Sequence, residues 1–150
     1  MSFVLGSRWL IATLVVTQLW TCTLLGERPT RVKIEASNPP VFVLSGSGKL
    51  SVFVMHGPKR QRNIVGDRAY AVWEIKSSRG DENAEDVEFL GAVKYGVVPK
   101  NYVQVYPENS APPPPLVEGE RYGYWFQTLN APHARGYFEI RDGKAVELAK

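Results

Sequence analysis

Tyr122, Tyr124 and Phe126 alternate along the chain with Gly123, Trp125 and Gln127. A repeat of two marks a strand, because successive side chains leave a pleated backbone on opposite faces. Residues 122–129 are therefore predicted to form a strand with one aromatic face, and such a face is stable only when a second layer covers it. Downstream, Arg141-Asp142-Gly143-Lys144 separates the runs GYFEI and AVEL. Asp-Gly between two extended runs is a hairpin turn, since both central positions of that turn need positive φ. The last third of the chain is thus predicted to be antiparallel β.

The same reading extends upstream. Val32, Ile34 and Ala36 alternate with Arg31, Lys33 and Glu35, which predicts a half-buried strand. The run VFVLSGSGKLSVFVMHGP places two β-branched and aromatic stretches around SGSG, and a hairpin pairing 41–45 with 50–56 is expected. AYAVWEIKSS, apolar on both faces, is predicted to be a central strand at 69–78. SRGDENAED is a polar loop, and VEFLGAVKYGVVP and YVQVYP are further extended runs bounded by prolines. ENSAPPPPLVEGE contains four consecutive prolines, which lock an extended backbone and exclude helix; its length suits an inter-strand loop. No stretch of the body reads as a helix. A length of 150 residues is that of one domain. Seven to nine short strands within residues 31–150 predict an antiparallel all-β sandwich.

LVEGERY, Leu116 to Tyr122, resembles the leucine, glycine and tyrosine spacing of the tyrosine corner in fibronectin type III and immunoglobulin-like domains, and LNAPHARG resembles the strand end and turn that follow it. The resemblance implies an immunoglobulin-like sandwich of about 7–9 strands. It also implies structural roles for Leu116, Gly119 and Tyr122, with the Tyr122 hydroxyl bonded to backbone upstream. The single cysteine excludes the inter-sheet disulfide of antibody domains. The stretches NPPVFVLSGSG and YGVVPKNYVQ resemble short predicted lipoproteins of bacteria, a resemblance that implies no activity.

Residues 1–26 depart from the composition of the rest. Arg8 precedes seventeen uncharged residues, Trp9 to Leu25, and polar sequence follows from Gly26. A short basic end, an apolar middle and a polar continuation are the layout of a secretory signal. Leu19-Trp20-Thr21-Cys22 resembles a bacterial lipobox, in which the cysteine thiol takes a diacylglycerol before cleavage. Residues 1–21 are then a signal peptide, Cys22 the lipidation site and residues 22–30 a tether. The alternative is an uncleaved membrane anchor to about residue 25, although Gln18 and four threonines make the run marginal as a span. The expected location is the extracytoplasmic side of the cell envelope, attached to the membrane through this segment. Without residues 1–21 the chain keeps 17 basic and 15 acidic residues, or +2, too weak a charge to imply nucleic acid. The cluster PKRQR at 58–62 reads as a solvated inter-strand loop.

Candidate chemistry is sparse. His56 and His133 are the only histidines, both expected in surface loops, and with one cysteine they offer neither a nucleophile–base pair nor a zinc site. LSGSGKLS fails as a phosphate loop because Val43 and Leu50 occupy two defining positions. Arg79-Gly80-Asp81 matches an integrin-binding tripeptide, and Asp81, Asn83, Glu85 and Asp86 put four oxygen donors into six residues, which makes them weak calcium candidates. A solvated acidic loop is the favoured reading, and no metal or cofactor is expected. If Tyr122 points inward, period two leaves Trp125 and Gln127 on the outer face. There Trp125 would bind a glycan or a protein, unless the long proline loop covers that face, which is the favoured outcome. The sequence thus implies a non-catalytic binding module, not an enzyme, with a structural subunit of an envelope assembly or a freely secreted domain as alternatives.

Overall fold

A computed structural model describes residues 28–58 and 70–149. Nine antiparallel strands form two sheets. The smaller sheet contains β1 (Arg31–Glu35), β2 (Val41–Ser45) and β5 (Ala92–Lys94) in the order β1-β2-β5. The larger contains β3 (Lys49–His56), β4 (Ala71–Ser77), β6 (Tyr102–Tyr106), β7 (Arg121–Leu129), β8 (Ala134–Arg141) and β9 (Lys144–Leu148), in the order β6-β4-β3-β7-β8-β9. β6 and β9 form the two edges of the larger sheet.

The aromatic face of β7 closes the sandwich. Phe42 of the small sheet is fully buried, and its ring lies 5.1 Å from Phe53, 5.5 Å from Tyr124, 5.7 Å from Phe126 and 5.8 Å from Phe138, all on the large sheet. Tilted and edge-on pairs at this spacing are favourable beyond the area they bury. Buried polar atoms are paired across the same layer. Trp73 Nε1 donates to Gln104 Oε1 at 3.0 Å, and Tyr102 donates its hydroxyl proton to the Leu50 carbonyl at 2.7 Å. Burial pushes the Tyr102 hydroxyl up to about 12.

The expected hairpin between 41–45 and 50–56 does not form. β2 pairs with β1 and β5, and β3 pairs with β4 and β7, so SGSG carries the chain from one sheet to the other. Each run has its own core face, and placing them on opposite layers lets Phe42 and Leu44 meet Phe53 and Met55 across the interior. The glycines serve close approach as much as reversal. Gly46 has φ of 124°, and a Cβ on Gly48 would lie 2.9 Å from the Cβ atoms of both Ala131 and Thr128.

The central position expected for 69–78 holds, since β4 lies between β3 and β6 and Trp73 is fully buried. Asp142 and Gly143 both take positive φ in a two-residue turn that pairs Arg141 with Lys144. Within VEFLGAVKYGVVP, expected to be extended throughout, Val87–Leu90 forms one helical turn (α1) ended by Gly91 at φ 66°. The turn places Val87 in the core and turns Phe89 outward, 87% exposed. Residues 28–30, assigned to the tether, dock on the sandwich. The Arg28 carbonyl accepts from the Ser47 amide at 3.2 Å, the Arg28 guanidinium meets Glu88 at 3.1 Å, and buried Thr30 bonds Thr128 hydroxyl to hydroxyl at 3.1 Å.

Candidate functional site

Burial along β7 alternates. Tyr122, Tyr124, Phe126 and Thr128 are buried, while Gly123, Trp125, Gln127 and Leu129 are half-buried on the outward face. Trp125 stands between Val54 of β3 and Arg135 of β8, and Gln127 stands beside Val52. The Trp125 ring meets His133 edge-on at 5.9 Å with the two planes 89° apart. His133 Nδ1 accepts from the Thr128 amide at 3.1 Å, which fixes the imidazole against the β7–β8 connection. In the neutral ring the remaining proton then sits on Nε2.

Two residues along, Tyr137 is the cross-strand partner of Gly123. Because Gly123 has no side chain, the Tyr137 ring leans over it, with Cε1 3.4 Å from where a Cβ would be. The Arg121 guanidinium lies 4.3 Å from the centre of the Tyr137 ring. Glu139, the cross-strand neighbour of Arg121, is engaged instead by Arg141 at 3.0 Å. The outward face of β7 and β8 therefore presents two rings flanked by Arg121 and Arg135. Flat apolar surface beside directional donors is suited to stacking on a sugar ring or seating a protein side chain.

The proline loop was expected to lie over this face. Its contacts are at the β5–β6 side of the sandwich instead: Tyr95 donates to the Pro114 carbonyl at 2.7 Å, Gln104 Nε2 donates to the Ala111 carbonyl at 2.7 Å, and Pro113 lies against Gly96. The physical reason is that Tyr95 and Gln104, beside β5 and on β6, supply donors to carbonyls of the proline run, which has few amide donors of its own. Burial, with a smaller effect of Tyr122, drives the Tyr95 hydroxyl well above its usual range.

Leu116 packs at the margin of the core, Gly119 takes φ of 75°, and the Tyr122 hydroxyl accepts from the Val117 amide at 2.9 Å, five residues upstream. The ring of Tyr122 stacks on Phe138 at 5.5 Å.

The weak calcium candidates do not converge. Asp81 accepts the Ser51 hydroxyl, Asn83 donates to the Arg79 carbonyl at 3.2 Å, Glu85 accepts from Asn101 at 2.6 Å, and Asp86 bridges to the Lys49 backbone. These side chains close the 78–86 loop onto its surroundings, and among the described residues no three His, Cys, Asp or Glu side chains come together as a metal site. Asp81 of the Arg-Gly-Asp tripeptide is held in that loop by the same contact with Ser51. Ser51, Lys76, Ser77 and Asp81 line an open depression of about 460 Å³ beside it. His56 ends β3 opposite Gly123, and burial holds its pKa below the usual 6.5 against a smaller opposing effect of Glu74.

Sequence reasoning missed Arg121, Arg135, Tyr137 and His133 as members of one surface. The four-residue connection Asn130–His133 was the available signal, because a short connection restricts which residues of β7 and β8 can face each other. Cys22, residues 1–27 and most of the 58–62 cluster lie outside the described residues. Among the described residues no helix is long and apolar enough to cross a membrane. In comparison with known proteins, the chain matches no family model, no curated protein and no solved structure.

Proposed function

We propose that this chain is an exported, lipid-anchored envelope protein whose sandwich is a non-catalytic binding module. Its recognition surface is the outward face of the large sheet around Trp125 and Gln127. The observation that carries the reading is the placement of Trp125: half-buried, edge-on to His133, beside Arg135, and away from the contacts made by the proline loop. An aromatic anchor held by its neighbours, with polar groups around it, is the usual centre of a recognition surface. A non-catalytic role is supported by the engagement of the candidate groups elsewhere. The Ser51 hydroxyl donates a hydrogen bond to Asp81, and His133 Nδ1 accepts one from the Thr128 amide. The attachment rests on the lipobox-like Leu19-Trp20-Thr21-Cys22 following an apolar run.

Two measurements test the two halves of the proposal. Wild type and Trp125→Ala are screened against immobilised glycans and envelope extracts. The expected result is that every wild-type partner is lost in the variant while circular dichroism is unchanged, and absence of any partner for wild type rejects the module. Intact mass of protein recovered from the membrane fraction is compared with Cys22→Ser. Added acyl mass on a chain beginning at residue 22, absent from the variant, is the expected result. A chain that keeps residues 1–21 in both rejects lipidation.

A further inference from the structure

The described chain begins at Arg28, and Arg28 is tied to α1 through Glu88. The next residue of that turn, Phe89, is 87% exposed and is the most exposed large apolar side chain among the described residues. Val87 and Gly91, not Phe89, do the packing and turning in α1, so its side chain has no evident work inside the domain. The same end of the sandwich holds Gly48, whose carbonyl accepts from the Val87 amide, and the start of β3. Five residues lie between Cys22 and Arg28, so the two are at most about 20 Å apart at full extension. From this geometry we propose that Phe89 inserts into the interfacial layer of the bilayer that holds the anchor. This rests on the membrane attachment proposed above, and it gives the module one orientation.

The surrounding charge identifies the kind of surface. Residues 81–88 are acidic, and although Asp81, Glu85 and Glu88 are engaged by Ser51, Asn101 and Arg28, Glu82 and Asp86 also lie in this segment. An acidic rim is repelled by anionic headgroups, so the contact is an apolar one with net-neutral, zwitterionic lipid, insensitive to salt. A lipid chain and one inserted ring then act together: the lipid fixes the tether and the ring fixes the tilt. β3, about 25 Å long, leads away from this end. The Asp142-Gly143 turn and the tyrosine corner therefore face outward from the membrane, with the Trp125 face along the side.

The test uses the acylated protein, which begins at residue 22, in phosphatidylcholine vesicles. With Cys22 acylated, Phe89→Cys supplies a unique thiol for an environment-sensitive fluorophore, and Val117→Cys, half exposed at the far end, is the control. The expected result is a blue-shifted emission at 89 with loss of quenching by aqueous iodide, against a fully quenched label at 117, unchanged in high salt. Intact mass and flotation of the same samples report the anchor separately. Acylated, vesicle-bound protein whose label at 89 is quenched as fully as that at 117 overturns the insertion and leaves the anchor standing. Unacylated protein that stays off the vesicles overturns the anchor and the insertion together. Protection at 89 in Cys22→Ser protein without vesicles identifies a protein contact and also overturns it.

Discussion

Removing the ring of Phe42 is the sharpest test of how the two sheets are held together. Phe42→Ala takes away a fully buried side chain of the small sheet that touches four aromatic rings of the large one, at centroid distances of 5.1 to 5.8 Å. Truncations of this kind cost about 3–5 kcal/mol, the transfer term plus a cavity term. The upper half of that range is expected, because the hole cannot collapse without moving one sheet toward the other, and each lost aromatic pair adds about 0.5–1.5 kcal/mol of geometry-dependent attraction. With a urea dependence of about 1–3 kcal/mol/M, the midpoint should fall by about 2 M. Tryptophan fluorescence reports the transition, since Trp73 is fully buried and edge-on to Phe53 at 5.5 Å. Phe42→Leu, which keeps most of the apolar volume, should lose less than half as much. A midpoint for Phe42→Ala no lower than that of Val117→Ala, at a half-exposed site, would refute the view that this ring joins the layers.

Three further outcomes are expected. Gly48→Ala should destabilise by about 1–3 kcal/mol in thermal or urea unfolding, because its Cβ would lie 2.9 Å from two packed Cβ atoms; stability equal to wild type would mean the crossing from β2 to β3 is looser than described. Tyr122→Phe keeps the ring on Phe138 but leaves the Val117 amide without its acceptor, at a cost of about 1–2 kcal/mol, and an unchanged denaturation midpoint would remove the tyrosine corner as a stabilising contact. Burial lowers the His56 pKa below 6.5, so the unfolded state binds more protons than the folded one as the pH falls past 6.5. The contribution of His56 is therefore complete above 6.5 and is lost as the pH drops through the folded value. His56→Gln should flatten that part of the stability–pH curve, and curves that run parallel for the two proteins would refute the assignment.

The strands were legible where one face met a core and the other did not. Tyr122, Tyr124 and Phe126 announce β7 because period two and apolar character coincide, and Asp142-Gly143 announces the β8–β9 turn because few sequences accept positive φ twice in succession. The connection from β2 to β3 is ambiguous in the sequence for a definable reason. A tight hairpin and a crossing between sheets both need small residues near SGSG, and only the partners of the flanking strands separate them. Phe42 pairs with Val93, and Phe53 with Ile75 and Phe126, which are contacts of long sequence separation that no local pattern encodes. Val87–Leu90 is ambiguous for a similar reason, since four residues carry no period long enough to distinguish one helical turn from a strand.

The surface proposed for recognition was half legible, and the divide follows from the same physics. Period two sufficed to send Trp125 and Gln127 outward once Tyr122 was placed inward. What surrounds Trp125 depends on register. Arg135 stands beside it and Tyr137 beside Gly123 because the β7–β8 connection pairs those residues, and a slip of one residue would bury Arg135 and expose Phe138. The penalty for that slip is large, since Phe138 is fully buried against Phe42 and Tyr122. The core thus holds the outward arrangement in place: rings that never meet a ligand decide which guanidinium groups flank the one that would. Substitutions at Phe138 should therefore disturb binding at Trp125 through register and not through contact, whereas Gln127→Ala, on the same outward face, should alter binding with the fold unchanged.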